Sequence, residues 1–232
     1  MILTHGANSL KRGGEQTVTI VGREYPVVKI GNQLWMAENL DYAWEGLVVG
    51  ASGADGSQQR ANYFNDDEPK FGYNGLKYGL LYTRTAALYL YQHRNTLLPD
   101  GWRLPSLVTN DQNTDVRKLI NVAADGHGDS AGIINLKSST GWRKTYSVDC
   151  NGNDTLGFNA YPTGYRNHNA YYTGVTMNNG QILYGDRFGM ITHNNSNETS
   201  SIQFLDELFT GKMYLVQGIG DYQYSIRLVK DA

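Results

Sequence analysis

The chain of 232 residues contains one cysteine, Cys150, so it can close no internal disulfide and build no thiolate metal cluster. Charged residues are scarce at 18%, and the formal net charge of −2 gives no electrostatic case for nucleic acid. No stretch approaches the ~18 apolar residues of a membrane-spanning helix, so no membrane insertion is expected. The opening MILTHGANSLKRGG lacks the apolar run and small-residue cleavage site of a secretory signal. The chain is therefore expected to stay in the cytosol, to leave within an assembly such as a virion, or to have been trimmed. Its five histidines (His5, His93, His127, His168, His193) show no pair at the spacing of a metal-binding helix. There is no Gly-x-Ser-x-Gly elbow, and neither GADG nor GHGDSAG ends in Gly-Lys-Ser/Thr, so a phosphate cradle is not expected.

Against five prolines stand 27 glycines and 17 tyrosines, with asparagine throughout. Glycine and asparagine tolerate left-handed backbone, which predicts many turns and short strands. Tyrosine with asparagine, serine and glycine is also the composition of binding loops, although tyrosine equally fills sheets. At this length folding buries roughly 70–75% of the unfolded surface, enough for a core without staples.

QTVTIVGREYPVVKIGNQLWMAENL reads as short strands broken at Gly22 and at Gly31-Asn32, a hairpin signal. LLYTRTAALYLYQHR predicts a first helix capped by Thr83, with Tyr82, Ala86, Tyr89 and His93 on one face. Val116, Leu119, Ile120 and Ala123 fall at i, i+3, i+4, i+7, with Asn113 or Thr114 before and Gly126 after, which predicts a second. From Ile133 onward the pattern turns to strands and loops. At the end, Tyr222, Tyr224, Ile226 and Leu228 alternate with Gln223, Ser225 and Arg227, the period of a strand. The fold class expected is one α+β domain, helices early and irregular strands late.

DCNGND places Asp149, Asn151 and Asn153 at alternate positions, like the front of a calcium loop. Asp154 stands where such a loop needs glycine, and no glutamate closes it, so calcium is a weak candidate and otherwise no metal or cofactor is expected. Asn197-Glu198-Thr199 satisfies a glycosylation sequon.

Six blocks follow in order: VVKIGNQLWMAENLDY (27–42), YGLLYTRTAAL (78–88), LPDGWRLPS (98–106), LKSSTGW (136–142), DTLGFNAYPTGYR (154–166) and YSIRLVKD (224–231). Together they resemble the Fibrobacter succinogenes major paralogous domain family, which has many Bacteroidetes members, over about residues 25–231. The resemblance implies a C-type-lectin-like fold: two helices, a twisted mixed or antiparallel sheet and long irregular loops. Residues 25–232 would form that domain and 1–24 an N-terminal arm or strand available for attachment. The block residues Trp35, Glu38, Asn39, Trp102, Arg103, Trp142, Arg166 and Arg227 then read as architecture. Trp35 and Met36 would anchor the core, Glu38 and Asn39 would pin neighbouring backbone, and Arg103 could pair with an acid such as Glu38. The family often carries cysteines where this chain has Leu98 and Leu228. Losing both implies that the two positions touch, that an apolar pair replaces a disulfide, and that assembly occurs in a reducing compartment.

The same fold class includes formylglycine-generating enzymes, which depend on a cysteine pair where this chain has one cysteine. It also includes variable proteins of diversity-generating retroelements, whose C-terminal loops bind a partner. The expected function is accordingly a non-catalytic ligand-binding module, for receptor or carbohydrate recognition on a phage tail or bacterial surface appendage. The candidates for ligand contact are Asn167, Asn169, Tyr171, Tyr172, Asn178, Asn179, Tyr184 and Asp186. Tyrosine rings would stack on sugar faces while amides and carboxylates bond hydroxyls, without metal. The expected partner is a cell-surface glycan or protein receptor, with a virion favoured over the cell surface. A structural subunit of a fibre, pilus or virion, assembled with copies of itself or with other appendage subunits and without its own ligand, is the alternative.

Overall fold

Val18 and Ile20, then Tyr25 and Val27, are buried in alternation with more exposed neighbours, the period of strands with one face covered. A computed structural model describes residues 16–49, 60–62, 79–108, 110–145, 148–166, 172–173, 175–178, 181–194, 199–205, 213–217 and 222–232. In chain order its elements begin with β1 (Gln16–Ile20), β2 (Arg23–Ile30), β3 (Gln33–Met36), β4 (Val48–Val49), β5 (Arg60–Asn62) and β6 (Leu81–Tyr82). The helices follow: α1 (Arg84–Gln92), α2 (Arg94–Leu97), α3 (Asp115–Ala124) and α4 (Asp129–Leu136). Then come β7 (Lys144–Thr145), β8 (Val148–Asp149), β9 (Tyr165–Arg166), β10 (Tyr172–Thr173), β11 (Val175–Asn178) and β12 (Gln181–Gly185). The last are β13 (Arg187–His193), β14 (Thr199–Leu205), β15 (Met213–Gln217) and β16 (Val229–Asp231).

The first and last described strands share one sheet, ordered β1-β2-β3-β16 and antiparallel throughout. Val21 and Gly22, both at positive φ (46° and 78°), turn β1 into β2 as a tight hairpin requires. A second sheet, β13-β14-β15, is also antiparallel, whereas β4 and β5 pair in parallel. The architecture is mixed α+β.

Two apolar clusters fill the interior, and β3 separates them. Successive strand side chains point to opposite faces. Trp35 therefore enters the cluster built on α3 and α4, with Phe158 and Phe188, while Met36 enters the one built on α1, with Tyr25, Tyr82 and Tyr224. Leu228 and Val229 divide in the same way across the partner segment. A strand buried on both faces needs a near-continuous apolar run, and Leu34, Trp35 and Met36 supply one.

Thr83 caps α1 as expected, accepting from the Ala86 amide at 3.3 Å. The face it buries is Ala86, Ala87 and Leu90, so of the predicted row only Ala86 holds on the helix: Tyr82 lies in β6, and Tyr89 and His93 stack on each other at 4.0 Å near the surface. On α3 the predicted Val116, Leu119, Ile120 and Ala123 are all buried.

Three expectations are corrected. The described residues hold four helices, not two, and residues 129–136, read as the start of the strand region, are helical. Gly128 and Gly132 interrupted the periodic signal there. Gly132 is needed sterically, because a Cβ at that position would lie 2.7 Å from the Ile120 carbonyl oxygen and 3.1 Å from the Ala124 nitrogen of α3. The closing YQYSIRL (222–228) is not a regular strand. It makes single bridges to Tyr82, Arg166 and Met190, and becomes a ladder only in β16. Its polar residues Gln223, Ser225 and Arg227 are buried along with its apolar ones. Finally, Arg103 does not pair with Glu38. Glu38 binds Arg23 of β2 at 2.7 Å, and Arg103 binds Asp115 and Asp231 at 2.8 and 3.0 Å.

Gly132→Ala tests the α3–α4 contact, since helix propensity alone would favour alanine by about 1 kcal/mol. Overpacking against α3 is expected to outweigh this and destabilise by roughly 1–3 kcal/mol. A urea midpoint unchanged or raised would refute the close approach.

Candidate functional site

Asp115, the first residue of α3, joins three chain segments. One carboxylate oxygen accepts from Gln33 Nε2 and Arg103 Nη2, both at 2.8 Å; the other accepts from Ser106 N at 2.9 Å and Ser106 Oγ at 3.0 Å. In return the Asp115 amide donates to Ser106 Oγ at 3.0 Å, doing for the helix start what a Thr114 side chain would otherwise do. Gln33 relays the network to Trp35, whose Nε1 donates to Gln33 Oε1 at 3.2 Å. Burial pulls the Arg103 guanidinium down, but Asp115 and Asp231 outweigh it and leave it above its ordinary value.

His193 ends β13 beside this network, buried, with its ring 4.3 Å from that of Tyr91. Ser106, Asp115 and His193 thus come together, but not as a nucleophile–base relay. The carboxylate holds the serine directly, and His193 Nδ1 donates to the Asn194 carbonyl at 3.0 Å. Burial holds the imidazole below its usual range, only partly offset by that bond and by Asp115. In front of Arg103 lies a cleft of about 290 Å³ whose wall also includes Arg94, Asn95, Asp100 and Trp102.

The second hub is Arg227, 2% exposed. Its Nε donates to Asn39 Oδ1 and its Nη2 to the Asn159 carbonyl, both at 2.8 Å; its Nη1 donates to the Phe158 carbonyl. The rings of Phe158 and Phe188 lie 4.7 and 5.0 Å from its guanidinium carbon. Asn39 Nδ2 continues to Ser225 Oγ at 3.1 Å, which meets Thr163 Oγ1 at 3.3 Å. Desolvation pushes the guanidinium down to about 9, opposed by Asp154 and Glu38, so it remains a cation at neutral pH. Asp154 holds its loop by accepting from the Asn159 amide at 2.7 Å, with both residues at positive φ.

The residues read as architecture are all described. Trp35, Asn39, Trp102, Trp142, Arg166 and Arg227 are buried, while Glu38 and Arg103 are partly so. Asn39 bonds the side chains of Ser225 and Arg227. Leu98 and Leu228 are buried in the same apolar cluster. Of the weak calcium candidates, Asn151 Oδ1 accepts from the Trp142 amide at 3.0 Å and Asn153 Nδ2 donates to Asn135 Oδ1 at 3.2 Å, so both brace turns; Asp149 is exposed in β8. Among the described residues, no three His, Cys, Asp or Glu side chains gather in a group that could hold a metal ion. Among the ligand candidates, Asn167, Asn169, Tyr171 and Asn179 lie outside the described residues. Tyr172, Asn178 and Tyr184 fall in β10, β11 and β12. Asp186, between β12 and β13, binds Arg187 Nε at 2.8 Å. Asp115, His193 and Arg94 carried no sequence signal of their own. Gln33 falls in the first of the six blocks, and Arg103 and Ser106 in the LPDGWRLPS block.

The two hubs tie together all the sequence blocks except LKSSTGW and YGLLYTRTAAL, which defines a mixed α+β domain organised by buried polar side chains. The chain belongs to the Fibrobacter succinogenes major domain family, whose model matches residues 28–230. No curated protein and no solved structure matches it.

Arg227→Met, close in volume, would leave Asn39 Oδ1 and two buried carbonyls without donors. It is expected to destabilise by about 3–5 kcal/mol in urea unfolding, and a loss below ~1 kcal/mol would show the network to be dispensable. For His193 the folded pKa lies below the unfolded value, so the unfolded chain binds the proton first on acidification. Its contribution is complete above pH ~6.5 and declines as pH falls through the folded pKa. Urea midpoints of wild type should therefore fall more steeply between pH 7.5 and 5.5 than those of His193→Asn. Parallel slopes would contradict this.

Proposed function

We propose that this chain is a non-catalytic ligand-binding module with a C-type-lectin-like fold, which recognises a cell-surface glycan through its C-terminal segment. The observation carrying this reading is where the acidic and basic side chains go. Asp115, Arg166 and Arg227, the groups an enzyme would aim at a substrate, are buried, and Asp115 and Arg227 have their hydrogen bonds filled within the scaffold. A rigid frame of this kind suits a protein that displays a surface rather than one that moves protons.

Residues 167–222 supply such a surface. Their two ends are joined at the base, where Arg166 and Gln223 exchange backbone hydrogen bonds of 3.0 and 2.9 Å. Between them run β10 to β15, with Tyr171, Tyr172 and asparagines 167, 169, 178 and 179 as the aromatic and amide groups for sugar faces and hydroxyls. The C-type-lectin-like assignment is supported by the first and last strands lying in one sheet, with helices and irregular stretches between them.

A glycan-array screen of the labelled protein, with and without EDTA, tests the reading. Binding is expected to survive EDTA and to weaken roughly tenfold or more in the Tyr171→Ala/Tyr172→Ala double variant. Silence across the array with folded protein, or full binding by the double variant, would overturn it.

A further inference from the structure

We propose that the cleft in front of Arg103 is a binding site for a sugar acid of monosaccharide size, separate from the C-terminal surface. Two guanidinium groups line it, and each has donors to spare. Arg103 uses Nη2 alone to hold Asp115 and Asp231; its Nε and Nη1 make no hydrogen bond among the described residues. Anchoring by two carboxylates fixes the plane of the group before any ligand arrives. Arg94 donates Nη1 to the Tyr91 carbonyl at 2.8 Å and rests over the Tyr91 ring at 4.9 Å, and among the described residues it has no acidic partner. A guanidinium with an open edge matches the planar, two-oxygen face of a carboxylate.

The remaining wall fits the rest of such a ligand. Asn95 and Asp100 are exposed at the cleft and present an amide and a carboxylate, the groups that hold sugar hydroxyls. Pro99 and Trp102 add an apolar side for the C–H face of a ring. The volume of about 290 Å³ is at the small end of ligand pockets, suited to one sugar ring rather than a chain. Charge selects among anions. Asp100 at the wall and Asp231 on Arg103 oppose a dianion more than a monoanion, so a carboxylate is favoured over a phosphate.

The test is titration of isotopically labelled full chain with galacturonate, galactose and inorganic phosphate, followed by amide and indole NMR shifts. Galacturonate is expected to shift the Asn95 amide and the Trp102 indole, with galactose and phosphate at least tenfold weaker. Arg94→Ala should weaken galacturonate at least tenfold, Arg94→Lys should restore only part, and exposed Asn95→Ala provides a variant that leaves packing untouched and should also weaken binding. The Tyr171→Ala/Tyr172→Ala variant should bind galacturonate as wild type does, which keeps this site's fate apart from that of the glycan surface. Absence of shifts at Asn95 and Trp102, equal binding of galactose, stronger binding of phosphate, or wild-type affinity in both the Arg94→Ala and Asn95→Ala variants would each overturn the proposal.

Discussion

A buried guanidinium with no ion pair among the described residues, packed against two phenylalanine rings, is the constraint on which the rest of this domain depends. Arg227 can be buried only because three acceptors converge on it: the Asn39 amide oxygen and the carbonyls of Phe158 and Asn159. Those acceptors come from segments more than sixty residues apart in the chain. Satisfying one cation therefore fixes the relative positions of the segment after β3, the 154–159 loop and the approach to β16. An uncompensated charge in that interior would cost several kcal/mol, which penalises any arrangement that separates these segments.

Asp115 performs the same service for the other half. Its four donors bring β3, the 103–106 turn and α3 to one point, and Arg103 extends the contact to Asp231 of β16. Both hubs border the cluster of Trp35, Phe158 and Phe188, Arg227 through the two phenylalanine rings and Asp115 through α3 and Gln33. Strands this short supply few ladder bonds, so polar side chains take over part of the work of regular secondary structure. Where such groups are filled internally they hold shape; where they keep open donors, as Arg94 and Arg103 do at their cleft, they are free to meet a ligand.

Much of the architecture was legible in sequence. The strands around Gly22 and Gly31, the Thr83 cap and the buried stripe of α3 follow from period, turn chemistry and capping, all local properties. The six ordered blocks carried the family, because several of their polar residues answer to one another across the core. What sequence did not show was which residue answers which. Arg103 was matched to Glu38, a reasonable acid, but Glu38 is engaged by Arg23, and Asp115 sits nearer in space though it read as an ordinary helix start. The α4 helix was missed because Gly132, unfavourable for a helix alone, is required by the close passage of α3.

Composition and pattern alone determined that this is an α+β domain without an internal disulfide, which follows from short-range physics: alternation, apolar content and the absence of a second cysteine. The resemblance of the six blocks to a family added Trp35 and Met36 as core residues and the block residues as scaffolding. Tertiary structure alone decided the pairings of Arg227, Arg103 and Asp115, the burial of Gln223 and Ser225 in an alternating segment, and the cleft beside Arg94. Each depends on groups distant in the chain meeting at hydrogen-bond range, and a one-dimensional pattern does not encode which distant acceptor a buried donor will find.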